Sequence, residues 1–192
     1  MSPSFLLPEN DRAHFLTKRF DRNEAGEKIH MQTLSGLTGM DYRQPDLYSY
    51  EQVFTVLRQM KLPQKMIEQQ YRRMVLNVVA RNQDDHVKNI SFLMDKSGKW
   101  ALSPAYDISY SHNPGGVWTN KYQLSINGKR DGFEKSDLIK IGSENNIPSR
   151  TSIVSEIIEV VGNWRKYAKE VDIDKEIANQ IGKAHRLSLF KK

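Results

Sequence analysis

The segment from Ile90 to Leu102 constrains the fold of this chain more than any other. Two short apolar stretches, 90–94 and 99–102, flank the polar turn Asp95-Lys96-Ser97-Gly98, a pattern typical of a β-hairpin with a glycine-containing turn. With the turn centred near Ser97, antiparallel pairing predicts that the numbers of facing residues sum to about 194. Residues just before the first strand and just after the second are then expected to meet at the open end of this hairpin.

Helical periodicity dominates most of the remaining chain. Apolar residues recur at helical spacing from Tyr48 to Met60, and a second, longer stripe opens at Pro63 and ends in the polar string 81–86. The other predicted elements are a strand over 14–20, a long loop over 103–122, a short strand over 122–126, and helices over 136–145, over 149–169 and from 174 onward. We therefore predict an α+β fold that is mostly helical, with one small β-hairpin.

Length and composition limit the class of protein. The 192 residues fit a single domain over 1–192, and no apolar run approaches the roughly 20 residues of a membrane span, so no membrane contact and a cytoplasmic location are expected. There is no cysteine, which excludes disulfides, thiolate zinc sites and thiol nucleophiles. The net charge of +6 favours anionic partners without specifying one.

Carboxylates and an amide flank the predicted hairpin. Asp84 and Asp85 stand just before its first strand, Asp107 stands just after its second strand, and Asn89 is expected to lie across from about residue 105 by the same pairing rule. Three carboxylates gathered at one point are unfavourable unless a cation or a proton neutralises them. A divalent ion held by oxygen is the simplest solution, and Mg²⁺ with phosphate is its usual setting.

The spacing of these residues sharpens the prediction. Asp84-x-x-x-x-Asn89 matches the protein-kinase catalytic loop, in which Asp accepts the substrate hydroxyl proton and Asn holds a metal ion, and Asp107 stands where the second metal-binding aspartate follows. Taken singly, each of these residues is explained as well by a helix cap or an Asx-turn. Taken together, Asp84, Asn89 and Asp107 favour a functional role over a purely structural one. His86 has no second histidine at metal-ligand spacing, which argues against zinc.

Three stretches carry a family resemblance: Asn82-Gln83-Asp84-Asp85-His86-Val87-Lys88-Asn89, Leu102-Ser103-Pro104-Ala105-Tyr106-Asp107 and Lys18-Arg19-Phe20-Asp21-Arg22. Together they resemble the HipA-like Ser/Thr kinases of bacterial type II toxin–antitoxin systems, over about residues 15–127. The resemblance implies a protein-kinase-like C-lobe, in which residues 1–22 form the strand region next to the hinge. The helical remainder agrees with the all-helical C-terminal part of that family.

The resemblance also implies roles for individual residues. Asp84 would be the general base, and Asn89 and Asp107 would bind Mg²⁺. The implied ATP-binding set comprises Lys18, Arg19, Phe20, His86, Val87, Lys88, Asn89, Tyr106 and Asp107. Within it, the Lys18–Phe20 hinge contacts adenine, whereas His86 and Lys88 line the phosphates. The family often has Glu in place of Lys18, and a structural ion-pair cluster explains Arg19, Asp21 and Arg22 equally well.

One part of kinase chemistry has no counterpart in this sequence. Kinases cover the phosphates with a Gly-rich loop and a strand lysine of the N-lobe, but none of the 11 glycines forms G-x-G-x-x-G or a P-loop. The sequence therefore predicts a C-lobe with the N-lobe absent and inactive alone. The chain is then a fragment, a truncated gene product, or one piece of a split kinase whose N-lobe is a separate polypeptide. As further partners the resemblance implies a HipB-like helix-turn-helix antitoxin and a protein substrate, such as an aminoacyl-tRNA synthetase. DNA would be contacted only indirectly, through the antitoxin.

Two other functions stay open at this point. A non-catalytic kinase-like module or truncated remnant would dock a protein partner or nucleic acid; the basic pI of 9.4 fits the latter, although no nucleic-acid reader motif is present. Asp84, Asn89 and Asp107 together favour the enzyme, because a docking lobe has no need of all three. A metal-dependent phosphoesterase would need a second metal site and further His ligands.

Overall fold

The structure, a computed structural model, describes residues 2–190. Helices account for 41% of the chain and five short strands complete a mixed α and β fold, so helix is the commonest regular structure, as predicted. Contacts divide the chain into two compact units. The β unit comprises residues 1–41 and 87–107, and the helical unit comprises residues 42–86 and 108–192.

The β unit contains two separate antiparallel arrangements. Its strands are β1 (Ser4–Glu9), β2 (Arg12–Thr17), β3 (His30–Thr33), β4 (Ser91–Met94) and β5 (Trp100–Leu102). Strands β1 and β2 pair only with each other, whereas β3, β4 and β5 form a three-stranded sheet in that order. A short helix, α1 (Leu34–Thr38), follows β3 directly, with the Thr33 side chain accepting the N–H of Gly36 at its start.

The predicted hairpin is confirmed, with its register. Phe92 faces Leu102 and Leu93 faces Ala101, so the numbers of facing residues sum to 194. The Asp95 carboxylate closes the turn by accepting the N–H of Ser97 at 2.8 Å and that of Lys99 at 3.0 Å. Because the register is correct, Ser91 and Ser103 face each other at the open end of the hairpin.

The N-terminal strands differ from the prediction. The expected strand over 14–20 is β2, which begins at Arg12 and ends at Thr17, and its partner β1, the strand β3 and the helix α1 were not expected. Apolar side chains are exposed on both faces of the β1–β2 pair: Phe5 (66%) on one face, Phe15 (71%) on the other. Strand prediction relies on an alternation of buried and exposed residues, which this pair does not have.

The helical unit follows the predicted periodicity closely. Its helices are α2 (Tyr50–Gln59), α3 (Gln64–Ala80), α4 (Lys135–Glu144), α5 (Arg150–Gly162), α6 (Trp164–Glu170) and α7 (Lys175–Ala184), with 3-10 turns at Pro45–Leu47 and Leu187–Phe190. A capping box of Ser49 and Gln52 starts α2, and α3 starts directly after Pro63. No helix among the described residues is long and apolar enough to cross a membrane.

Two predictions in the helical unit were wrong. The helix expected over 149–169 is two helices, because the chain breaks at Asn163, whose side chain donates to the Glu159 carbonyl and so ends α5. The strand expected over 122–126 reduces to isolated bridges of Ser125 with Ser49 and of Ile126 with Lys129. The apolar residues of that segment are instead buried, which is why they resemble a strand in sequence.

Candidate active site

The segment that carries the predicted base begins where α3 ends. Arg81 adopts a left-handed conformation (φ 60°, ψ 37°), and its N–H donates to the Asn77 carbonyl, which terminates the helix. The Asn82 side chain then donates to the Asn77 side chain at 3.1 Å. The residues after the helix are therefore tied back to its last turn.

A serine from the loop after β5 holds the next residues. The hydroxyl of Ser111 accepts the N–H of Gln83 at 2.8 Å and that of Asp84 at 3.0 Å, and it donates to the Asn82 side chain at 3.1 Å. The Ser111 N–H donates in turn to the Arg81 carbonyl at 3.2 Å. The backbone of Asp84 is thus fixed by a residue 27 positions away in the sequence.

The Asp84 side chain is accessible, as a general base must be. Its side chain is 44% exposed, and one of its oxygens lies 3.6 Å from Nε2 of His86. The His86 ring packs edge-on against Tyr42 with centroids 5.6 Å apart, and its buried Nδ1 makes no hydrogen bond. The pair combines a carboxylate that can reach solvent with an imidazole held beside it.

Asp85 has a different environment from its neighbour. Its carboxylate is buried (2% exposed) and accepts the Tyr50 hydroxyl at 2.8 Å and the Gln123 N–H at 2.8 Å. Among the described residues, no group of three or more His, Asp and Glu side chains is arranged to hold a metal ion. The expected cluster of three carboxylates is therefore wrong, because Asp85 is used inside the helical unit to join α2 to the segment at Gln123.

Burial makes Asp85 a titrating group near neutral pH. Desolvation raises the pKa of its carboxyl from 3.8 to about 6, although hydrogen bonds from Tyr50 and the Gln123 backbone favour the charged form. Burial, and secondarily the Asp85 charge, raises the pKa of the Tyr50 hydroxyl well above its ordinary value. Tyr50 therefore stays a donor whichever form Asp85 adopts.

Replacing Asp85 with Asn should change how stability depends on pH. Because the folded state holds this proton more tightly than the unfolded chain, the stability that Asp85 contributes is complete below about pH 4 and is lost as the pH rises through about 6. The free energy of unfolding of the wild type, relative to Asp85→Asn, should then fall by about 2–3 kcal/mol between about pH 4 and about pH 7. Urea unfolding of both proteins at several pH values measures this difference, and a constant difference would contradict it.

In the β unit, the start of α1 anchors the segment after His86. The Ser35 N–H donates to the Val87 carbonyl at 3.2 Å, and the Leu34 N–H donates to the Ile90 carbonyl at 2.8 Å. These are N–H groups of a helix N-terminus, which have no partner within the helix. Val87 itself is buried (1% exposed), so the backbone of 87–90 is firmly placed.

At the open end of the β4–β5 hairpin, the two chain segments that carry Asn89 and Asp107 remain in contact. Pairing continues beyond β5 through the Ser103 N–H, which donates to the Ser91 carbonyl at 2.9 Å. Further along, the Tyr106 hydroxyl donates to the Lys88 carbonyl. Asn89 follows Lys88 and Asp107 follows Tyr106 along the chain, so each lies one residue from that contact.

Asp107 is exposed and its backbone is left-handed, with φ at 51°. Such a conformation is uncommon for residues other than glycine, and Asp and Asn tolerate it best. With the Asn89 amide oxygen, the Asp107 carboxylate makes a donor set suited to Mg²⁺, which needs only one or two protein oxygens when phosphates and waters complete its shell.

Lys18 and Phe20, two of the three predicted hinge residues, have different kinds of contacts. The Lys18 N–H donates to the Pro3 carbonyl at 2.9 Å, and the Lys18 side chain forms an ion pair with Glu24 at 2.8 Å. Both the backbone N–H and the side chain of Lys18 therefore have partners within the β unit. The Phe20 ring instead packs against Tyr106, with centroids 5.5 Å apart and planes tilted by 42°. This aromatic pair adjoins Asp107 in sequence and offers a surface on which a base can stack.

Arg19 belongs to the ion-pair cluster that the sequence analysis left as an alternative. It contacts Asp21 through two nitrogens, at 2.8 and 2.5 Å, and Arg22 contacts the same carboxylate at 2.7 Å. The hydrogen bond from Arg19 lowers the pKa of Asp21 from 3.8 to about 2. The Arg19 side chain is therefore occupied structurally.

Comparison with known proteins identifies the family. The sequence model for the HipA-like C-terminal domain matches residues 1–185. The chain belongs to the HipA-like C-terminal domain family. None of the curated proteins gives a significant sequence match. Among solved structures, this HipA-like domain is similar to HipA of Shewanella oneidensis MR-1, from a complex with HipB and operator DNA, at 18% identity with a TM-score of 0.71.

This HipA-like domain covers only part of that relative. The match takes in 98% of the chain but 50% of the Shewanella protein, so the chain spans about half its length. The family confirms the resemblance drawn from the three motifs. Tyr50 and Ser111, which support Asp85 and Asp84, could not be predicted from the motifs, because each lies more than 25 positions from its partner and carries no motif.

Proposed function

We propose that this chain is the catalytic C-terminal lobe of a Ser/Thr protein kinase of the HipA toxin type, using ATP and Mg²⁺. The observation that carries the proposal is the Tyr106–Lys88 contact at the open end of the hairpin. It holds together the two chain segments that carry Asn89 and Asp107, and these residues follow Asp84 in the order that kinases use for their metal ligands. The accessible Asp84 carboxylate supports the same function.

In the proposed mechanism each residue has one task. Asn89 and Asp107 would hold Mg²⁺, which when bound supplies positive charge next to the phosphates. Asp84 accepts the proton of the substrate hydroxyl, and its exposure lets a Ser or Thr side chain approach. Phe20 and Tyr106 provide an aromatic contact for adenine. These roles need positioning and charge more than covalent chemistry, as phosphoryl transfer generally does.

The proposed partners follow from the family and from the half-length match. The Shewanella HipA structure contains HipB and operator DNA; we propose a HipB-like helix-turn-helix antitoxin for this chain, with DNA contacted only through it. The Gly-rich loop and the strand lysine of an N-lobe would come from outside these 192 residues. The substrate is proposed to be a cytoplasmic protein, such as an aminoacyl-tRNA synthetase.

A docking function is the second candidate, and one observation favours it. Five large apolar side chains are more than 40% exposed on the two faces of β1–β2: Phe5, Leu6, Leu7, Phe15 and Leu16. An isolated two-stranded hairpin is marginal in water, so such a surface suits a protein partner. This candidate needs no ATP, which separates it from the first.

ATP titration of the 192-residue chain tests the kinase proposal. Chemical-shift changes in an NMR titration with ATP should require Mg²⁺ and should centre on Asn89 and Asp107, and Asp84→Asn should leave them in place, because the base contacts the acceptor hydroxyl. Transfer from radiolabelled ATP to a generic protein substrate should be near background, because the Gly-rich loop and the strand lysine that hold the phosphates lie outside this sequence. The kinase proposal fails if ATP with Mg²⁺ causes no shifts. Transfer that Asp84→Asn abolishes would instead contradict the predicted inactivity of the isolated chain.

A further inference from the structure

Ser111 lies outside the family motifs, and its hydroxyl is bonded directly to the backbone of Asp84. Its hydroxyl takes part in three hydrogen bonds, two accepted from the N–H groups of Gln83 and Asp84 and one donated to Asn82. Ser111 lies four residues after Asp107 along the chain. It therefore connects the loop that follows the predicted metal ligand to the segment that carries the predicted base.

The chemistry of a hydroxyl matches this position closely. A serine or threonine oxygen offers one donor and two acceptor lone pairs, and all three are used here. Gln83 is fully buried (0% exposed), so its N–H has little access to water in place of Ser111. Removing the hydroxyl takes the Ser111 acceptor away from two adjacent backbone donors, which is unfavourable wherever water cannot replace the partner.

The hydrogen bonds of Ser111 to residues 82–84, called the clamp below, also extend back to α3. Asn82 accepts from Ser111 and donates to Asn77 on the last turn of the helix. The Ser111 N–H adds a bond to the Arg81 carbonyl. Asp84 is thus held at its backbone through a short chain of hydrogen bonds that starts on the helix α3, which fixes the position from which its side chain projects.

We propose that Ser111 is a positioning residue that fixes the backbone of Asp84 and thereby aims its carboxylate at the substrate hydroxyl. Ser111 touches neither substrate nor nucleotide in this proposal. The inference rests on the proposed function only for the task given to Asp84; the clamp itself is independent of ATP.

Three variants test the clamp in the full chain. Ser111→Ala removes the hydroxyl, Ser111→Thr keeps it, and Ser155→Ala is the matched control, because the Ser155 hydroxyl makes a single bond to the Thr151 carbonyl on the exposed side of α5. The probes are the amide proton signals and hydrogen-exchange rates of Gln83 and Asp84, compared with those of amides within α3. Neither measurement requires ATP.

In Ser111→Ala, both amide protons should move upfield and exchange about tenfold faster or more, since each loses its acceptor. Amides within α3 should keep their rates, and Ser111→Thr and Ser155→Ala should match the wild type. Unchanged signals in Ser111→Ala would overturn the proposal. So would an acceleration shared equally by α3, because that indicates only a loss of overall stability.

The wild type alone gives a further test if Ser111→Ala does not fold. The amides of Gln83 and Asp84 should be protected from exchange well beyond those of the exposed loop around Gly115, and equal rates would overturn the clamp. The two proposals fail separately. Absence of Mg²⁺-dependent ATP shifts counts against the kinase function, whereas unprotected amides count against Ser111.

Discussion

Asp107→Asn should raise the dissociation constant for ATP in the presence of Mg²⁺ by about 10- to 100-fold, the range seen when support for a bound metal is removed. The substitution deletes the negative charge of the proposed ligand pair and keeps the size of the side chain. Asn tolerates the left-handed backbone that Asp107 adopts (φ 51°), so the fold of the loop should persist. The NMR titration with ATP and Mg²⁺ measures the change directly.

Asp172→Asn is the matched control for this prediction. Asp172 is also an exposed aspartate with a left-handed backbone (φ 54°), but it lies in the turn between α6 and α7, away from the motifs. Its replacement removes the same charge and should leave ATP binding unchanged. If both variants weaken binding equally, the effect comes from net charge, and Asp107 is not a metal ligand.

Phe54→Ala should lower the free energy of unfolding by about 3–5 kcal/mol, the usual cost of removing a fully buried aromatic side chain. Phe54 lies on α2 and has 0% exposure, so its loss leaves a cavity in the core of the helical unit. Urea unfolding monitored by circular dichroism measures the change. The slope of the transition should stay the same, because the surface exposed on unfolding hardly changes.

Phe15→Ala provides the comparison on the β1–β2 pair. Phe15 is 71% exposed, so its loss should change stability by less than about 0.5 kcal/mol. A cost as large as that of Phe54→Ala would contradict the exposure of this hairpin and would mean that the face is covered in solution. Repeating the measurement at several protein concentrations shows whether a second copy covers it, since association makes stability depend on concentration.

The elements that the sequence predicted well are those with strong local patterns. The β4–β5 register follows from one turn, because the position of Ser97 determines which residues face each other. Helices α2 and α3 follow from apolar periodicity and from the Pro63 start signal. Strand β2 was predicted but its partner β1 was not, because the apolar residues of this pair lie on both faces and do not alternate with polar ones.

In the candidate site too, local sequence patterns predicted some features and long-range packing decided the others. Sequence by itself determined the identity and spacing of Asp84, Asn89 and Asp107, since the motif and the hairpin register are local properties of the chain. The tertiary structure alone decided that Asp85 is buried against Tyr50 while Asp84 remains accessible. Two adjacent carboxylates look equivalent in sequence, and their burial depends on side chains that long-range packing brings to one of them and not to the other.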